Sequence, residues 1–328
     1  MKRLLALVLL IVAVVADAAG LRRYPYVGAV SADATGRVLV SDGADRPAYI
    51  ASVSKLMTAL LVIEDVRARR YSFSDRVKAT PDVYFSESSW IGLKTGDEVS
   101  VRDLMVALMV ESANDAAIAL GVHSAGSLAA FVAKMNSRAA ELGMSATAYY
   151  SPNGLPPNAG RRYPWKKFNV STAADQLKLA VKLVSIPETL EFTRIKDCDL
   201  VKTPYGYRVS VCGAVGRPRA ATVLAAGEKT VKHFANHNNV MVKNALKVVN
   251  PDGTEAVDGL KTGYIDAGGS SVVMTGIRNG KRVIVVVLGS DSGVSEFGKT
   301  KGMVVKSSIV RDENARRLLI DALGAVDF

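Results

Sequence analysis

Ser52-Val53-Ser54-Lys55 places a hydroxyl and an amine three residues apart. On a helix that spacing sets both side chains on one face. A serine hydroxyl needs a base to become a nucleophile, and a neutral lysine held beside it can take the proton. If Ser52 opens the helix, the unpaired N–H groups and the dipole there favour a developing anion. Ser112-Ala113-Asn114 supplies a second hydroxyl and a carboxamide, two residues apart at a break between apolar runs. Asn114 in that place also has the chemistry of a helix cap. Lys261-Thr262-Gly263 supplies a cation and a hydroxyl able to hold a substrate carboxylate, and Gly263 permits close backbone approach. Two similar tripeptides read as turns. Ser151-Pro152-Asn153 enters a Pro/Gly-rich stretch, and Lys94-Thr95-Gly96 precedes Asp97 in a polar connection.

These groups need elements to position them. Residues 52–67 carry Leu56, Leu60 and Ile63 at helical spacing. Residues 101–110 and 115–120 read as helices on either side of Glu111-Ser112-Ala113-Asn114, and 125–142 as another, stopped by Gly143. Residues 151–168 read as a long loop, and 172–183 as a helix capped by Ser171. Short β-prone runs at 27–31 and 38–42 flank Asp33-Ala34-Thr35-Gly36 as a hairpin. Late strands are expected at 258–262, 270–277 and 282–289, with Asn279-Gly280 as a tight turn, before a last helix at 312–323. Strands at both ends and helices between predict an α/β (α+β) fold. Its antiparallel sheet is built from both chain ends, flanked by helices, with a helical subdomain inserted.

The chain has 328 residues, 49% apolar and 22% charged, which is globular composition and excludes a disordered, collagen-like or small disulfide-framed protein. Forty-two basic against 31 acidic residues give +11, a balance suited to an acidic polymer or surface. Without a dense basic run interleaved with aromatics, nucleic acid is not an expected partner. Two cysteines and three histidines exclude a zinc site built from paired cysteine motifs. They also leave little room for a Ser-His-Asp arrangement; His123, His233 and His237 read as packing or surface residues. Lys2 and Arg3, the apolar run from Leu4 to Val15 and Ala16-Asp17-Ala18 read as a secretory signal peptide over residues 1–18. Its twelve apolar residues are too few to span about 30 Å of hydrocarbon. Residues 19–328 would be the exported chain, periplasmic or extracellular and associated with the cell wall, with no transmembrane segment after cleavage.

The order S-x-x-K, then S-x-N sixty residues later, then K-T-G on a late strand resembles the penicillin-recognising serine enzymes. The wider matches are Ala51 to Leu60, Gly92-Leu93-Lys94-Thr95-Gly96-Asp97, Glu111 to Ala117, Asn236-His237-Asn238 and Val257 to Tyr264. Together they resemble the D-alanyl-D-alanine carboxypeptidase family of low-molecular-mass penicillin-binding proteins, over roughly residues 24–325. The resemblance implies a β-lactamase/DD-peptidase-like fold and a serine DD-peptidase that removes terminal D-Ala from peptidoglycan stem peptides. It implies β-lactams as covalent inhibitors, and neither metal nor organic cofactor. Ser52 would be the nucleophile, Lys55 its base and Ser112 a proton relay, aided by Asn114. Lys261 and Thr262 would hold the terminal carboxylate beside Gly263. The backbone N–H groups of Ser52 and Tyr264 would form the oxyanion hole.

Three departures from the family stand out. Pro152-Asn153-Gly154-Leu155 has Asn where the family has His. An extra segment around 190–235 holds both cysteines. The given sequence ends soon after its last expected helix, so the C-terminal β-domain and membrane anchor of larger relatives are expected to be absent, a layout shared with endopeptidases that cleave D-alanyl cross-links. Residues 151–175 contain no Glu, so a β-lactamase deacylation base is missing. A non-catalytic penicillin sensor would not need all three motifs. Finally, strands around Pro204-Tyr205-Gly206 would set Cys198 opposite Cys212, predicting a disulfide.

Overall fold

The computed structural model describes residues 26–83, 89–156, 167–290 and 307–326; the expected signal peptide lies outside them. β1 (Gly28–Asp33) and β2 (Val38–Asp42) form the first hairpin, and β3 (Ala48–Tyr49) leads to α1 (Lys55–Arg67). β4 (Arg76–Lys78) and β5 (Glu98–Ser100) precede α2 (Val101–Val110), α3 (Asn114–Ala125) and α4 (Leu128–Glu141). β6 (Val170–Ser171), α5 (Ala173–Val184) and α6 (Pro187–Thr193) lead to β7 (Ile195–Thr203), β8 (Gly206–Ala214) and β9 (Lys229–Ala235). α7 (Asn239–Val242), β10 (Val257–Ile265), β11 (Gly269–Arg278), β12 (Lys281–Ser290) and α8 (Ser307–Val326) close the chain.

The principal sheet runs β10-β11-β12-β1-β2 and is antiparallel throughout, so both chain ends do build it. β1 lies against β12 with Gly28 opposite Leu288 and Asp33 opposite Val283. The alternation of β12 sorts its side chains between two cores. Val283, Val285 and Val287 pack with Leu318, Leu319 and Leu323 of α8. Ile284, Val286 and Leu288 join the larger core on the opposite face, with α1, α2 and α3. Covering on both faces explains why this strand reads as an unbroken apolar run. Asn279 and Gly280 take φ of 50° and 75°, the left-handed pair that a two-residue hairpin turn demands.

α1 is buried from Lys55 to Ile63, so it runs through the core rather than along the surface. The cap of α5 is Thr172, whose hydroxyl accepts from the Asp175 N–H at 3.1 Å. Ser171, expected there, is instead a residue of β6.

The segment around 190–235, expected as an addition to the family's layout, joins a second sheet, β4-β5-β8-β7-β9. Its hairpin turns on only Pro204-Tyr205, with Thr203 opposite Gly206. That turn is one residue tighter than expected, and it changes the register. Cys198 falls opposite Val211, not Cys212, and both cysteines are free thiols. They also face opposite ways. Cys198 packs in the large core, whereas the Cys212 sulfur sits 3.7 Å from the Thr222 hydroxyl, which donates to Asp199. Successive strand residues alternate faces, so the face of Asp199 is not the face of Cys198. The expected disulfide is therefore corrected to two separate buried thiols.

Candidate active site

Ser52 lies in a single 3₁₀ turn, Ala51–Ser54, that runs into α1. Ala51 holds φ of 45°, a strained value for a residue with a Cβ, and aims the turn at β10. Gly263 of β10 meets this turn directly. A Cβ on it would stand 2.8 Å from the Ile50 carbonyl oxygen and 3.1 Å from the Ser52 nitrogen. The bare glycine is what lets the K-T-G strand lie against the serine turn.

The Lys55 amine is fully buried and donates to Ser52 Oγ at 2.8 Å, Asn114 Oδ1 at 2.8 Å and the Asn153 carbonyl at 2.9 Å. Burial first, and then the charge of Lys261, hold its pKa well below the ordinary lysine value. Lys261 is itself buried, donating to the Thr262 carbonyl at 3.0 Å, and its pKa is pushed down to about 7 by burial and by Arg311, against the pull of Glu111. The site thus holds two buried lysines, and the charge of Lys261 disfavours the charged form of Lys55.

α2 ends at Val110 and α3 begins at Asn114, which places the Ser112 hydroxyl at the break. Ser112 has φ of 63° and is buried, and its Oγ has no hydrogen-bond partner among the described residues. A buried hydroxyl without a partner costs about 1–3 kcal/mol, a cost that a group met only when substrate enters would remove. Asn114 is the first residue of α3 and spends its side-chain oxygen on Lys55 rather than on a cap, so the capping alternative does not hold. Asp115, next in line, accepts from the N–H groups of Ile91, Gly92 and Leu93, tying the 91–93 segment to this helix.

Ser52, Lys55, Asn114 and Gly263 therefore meet in one place, with Lys261 close enough to Lys55 for its charge to be felt. Thr262 is buried between its strand neighbours, and Tyr264 has an exposed ring whose hydroxyl donates to Asp266 at 2.7 Å. Asn238 reaches the same strand from the N-x-N segment, donating to the Gly259 carbonyl at 3.2 Å. Lys94-Thr95-Gly96 is the exposed turn expected, with the Lys94 N–H on Asp97 at 2.8 Å. His123 stacks edge-on against Tyr71 with ring centroids 4.6 Å apart, away from these groups.

Sequence reasoning missed the part played by the 151–155 loop. Pro152 receives the Thr58 hydroxyl at 2.7 Å, and Asn153 gives its backbone carbonyl to Lys55, so the side chain at 153 is not the group used there. Asn169 donates from its amide to Ser54 at 2.8 Å and to the Ser151 carbonyl at 2.9 Å. That engagement, with burial of Ser54, separates Ser54 from Ser52 as a nucleophile. The usable signal was Gly154. It has φ of 89°, and a Cβ on it would stand 1.9 Å from the Ala51 carbonyl oxygen. We expect Gly154→Ala to cost about 2 kcal/mol or more in denaturant unfolding and to slow acylation by displacing the Asn153 carbonyl from Lys55. Unchanged unfolding and acylation would show that the loop is not fitted to the site.

A family model described as D-alanyl-D-alanine carboxypeptidase matches residues 28–211 and 217–292, and so runs through most of the segment around 190–235 that was expected as an addition. The chain is 27% identical over 278 residues to the D-alanyl-D-alanine carboxypeptidase DacC of Escherichia coli strain K12, covering 83% of this chain. It is 25% identical over 263 residues to a D-alanyl-D-alanine endopeptidase of the same organism, covering 80% of this chain and 70% of that protein. Among solved structures it is similar to penicillin-binding protein D2 from Listeria monocytogenes in its ampicillin-bound form. There the identity is 29% and the TM-score 0.64, covering 90% of this chain and 96% of the other. The chain spans 58% of the length of DacC and 55% of that of DacF from Bacillus subtilis.

Proposed function

The chain belongs to the D-alanyl-D-alanine carboxypeptidase family, and from that premise we propose that it is a serine DD-peptidase releasing terminal D-Ala from peptidoglycan stem peptides. The observation that carries the reading is the buried Lys55 amine 2.8 Å from Ser52 Oγ, beside a second buried lysine. A neutral Lys55 takes the Ser52 proton as the oxygen attacks the carbonyl of the D-Ala-D-Ala bond. Charge then grows on the carbonyl oxygen, where the N–H groups of Ser52 and Tyr264 stabilise it. Ser112, whose hydroxyl is otherwise unused, passes a proton to the leaving amine, while Asn114 holds Lys55 and the substrate amide in line. Lys261 and Thr262 hold the terminal carboxylate. The leaving D-Ala departs and water hydrolyses the ester on Ser52. β-Lactams enter the same route and stop at the ester.

The likeness to the endopeptidase favours a second reading, cleavage of D-alanyl cross-links by the same acyl-enzyme chemistry. Export to the periplasm or the extracellular space follows from the signal peptide read in residues 1–18, and association with the wall follows from the substrate proposed. Among the described residues no single helix is long and apolar enough to cross a membrane. Mass spectrometry of products from defined muropeptides tests the function. The expected result is free D-Ala from pentapeptide stems. Splitting of cross-linked dimers with pentapeptides left whole would transfer the assignment to the endopeptidase, and neither product would end it.

A further inference from the structure

The second sheet holds a group of side chains for which the active site has no use. Asp197, Cys212 and His233 come one each from β7, β8 and β9, and a ligand atom from each lies within 4.8 Å of the other two. The register explains the convergence. Asp199 pairs with His233, and Asp197 lies two residues along on the same face of β7. Shifts in the β7–β8 ladder at Asp197 bring Asp197 opposite Gly213 but Cys198 opposite Val211, leaving Cys212 as the extra residue of a bulge. Bulges re-aim side chains, and this one sends the Cys212 sulfur to the face of Asp199 and His233.

We infer that Asp197, Cys212 and His233 form a binding site for a divalent zinc-like metal ion that joins strands β7, β8 and β9. Three further observations support a ligand here. Asp197 Oδ1 is buried without a hydrogen bond, its nearest cation being Arg219 Nε at 3.5 Å. Gly213 leaves the carboxylate its place, since a Cβ there would stand 3.0 Å from Asp197 Oδ2. Asp199 Oδ1 lies 2.7 Å from His233 Nδ1, the carboxylate–imidazole pairing that orients metal-binding histidines.

The donor set decides the metal. One thiolate, one imidazole and one carboxylate suit tetrahedral zinc, whereas calcium and magnesium take oxygen donors. Zinc bonds of about 2.0–2.3 Å set ligand atoms on the order of 3.5 Å apart, so strands already this close need only a small contraction. Binding takes the metal from solution, releases the Cys212 thiol proton to solvent and leaves a fourth position for water. The charges of Asp197 and the Cys212 thiolate balance the ion.

This inference does not rest on the peptidase reading, because the site uses none of its residues. The exported chain, purified without reductant or chelator, should carry one zinc ion. Cobalt loaded in its place should show a thiolate-to-cobalt absorption band. Cys212→Ala should remove that band, and Cys212→Ala and His233→Ala should each weaken zinc binding on the order of 100-fold. Cys198→Ala, altered on the opposite face, should keep both the band and the zinc. Circular dichroism and cooperative unfolding of each variant verify that it is folded. Zinc bound no more tightly by the parent than by a Cys212→Ala/His233→Ala double variant would overturn the site. So would a band that depends on Cys198, or a disulfide between the two cysteines in the exported protein.

Discussion

Ser52→Ala should abolish covalent labelling by a fluorescent penicillin while leaving the fold intact. The ester can form only on a hydroxyl beside a base, and Lys55 lies 2.8 Å from Ser52 Oγ. Ser54 cannot substitute, because it is fully buried and receives the Asn169 amide at 2.8 Å. Removing a serine nucleophile from an enzyme of this kind typically costs on the order of 10⁶ in kcat, so residual labelling should fall below detection. Peptide mapping of the labelled parent should find the adduct on Ser52. An adduct on Ser54, or labelling of the variant at the parent rate, would overturn the assignment. Because Ser52 sits at the start of a buried helix but keeps partial exposure, trimming one oxygen leaves packing intact, and the variant should unfold close to the parent.

Lys261→Gln should have the second largest effect, on both substrate capture and pH dependence. Lys55 works when neutral, so acylation rises with pH as its proton leaves. Burial and Lys261 together hold that inflection well below the ordinary lysine value. Lys261 works when charged, and burial has lowered its own pKa to about 7, so capture of a carboxylate by the free enzyme should fall as pH rises through that region. The parent should therefore show a bell-shaped pH profile of kcat/KM. In Lys261→Gln the alkaline limb should vanish, and the acid limb should move to higher pH because Lys55 has lost a neighbouring positive charge. A hydrogen bond to a charged group contributes about 1.5–3 kcal/mol, so kcat/KM on carboxylate-ended substrates should drop about 10–100-fold. An acid limb that stays in place would show that Lys261 does not tune Lys55.

The three chemical motifs were legible because each is local. S-x-x-K needs only a helix start, S-x-N only a break between helices, and K-T-G only a strand with a glycine, although β10 runs on past it to Ile265 where a strand end at 262 was expected. The hairpin at Asn279-Gly280 was legible for the same reason, since the turn geometry is carried by the two residues that form it. The sheet from both chain ends followed from the order of strands and helices, and the structure agrees. The family resemblance then supplied roles that spacing alone could not.

What only the tertiary structure decided are matters of register and of long-range backbone contact. One residue fewer in the turn at Pro204-Tyr205, with the irregular pairing near Asp197, moved Cys198 off Cys212 and brought Cys212 to Asp197 and His233. Strand side chains alternate with a period of two, so a shift of one residue exchanges faces, and turn composition did not determine that shift. The 151–155 loop reads as punctuation in sequence because its contribution is the main-chain carbonyl of Asn153, which no side-chain pattern reports. The neutral lysine that S-x-x-K asks for depends first on complete burial, which exists only once α1 runs through the core against β10. Sequence by itself determined which groups could react. Packing decided which of them are dry, charged and within reach of one another, because burial and distance belong to the folded chain as a whole.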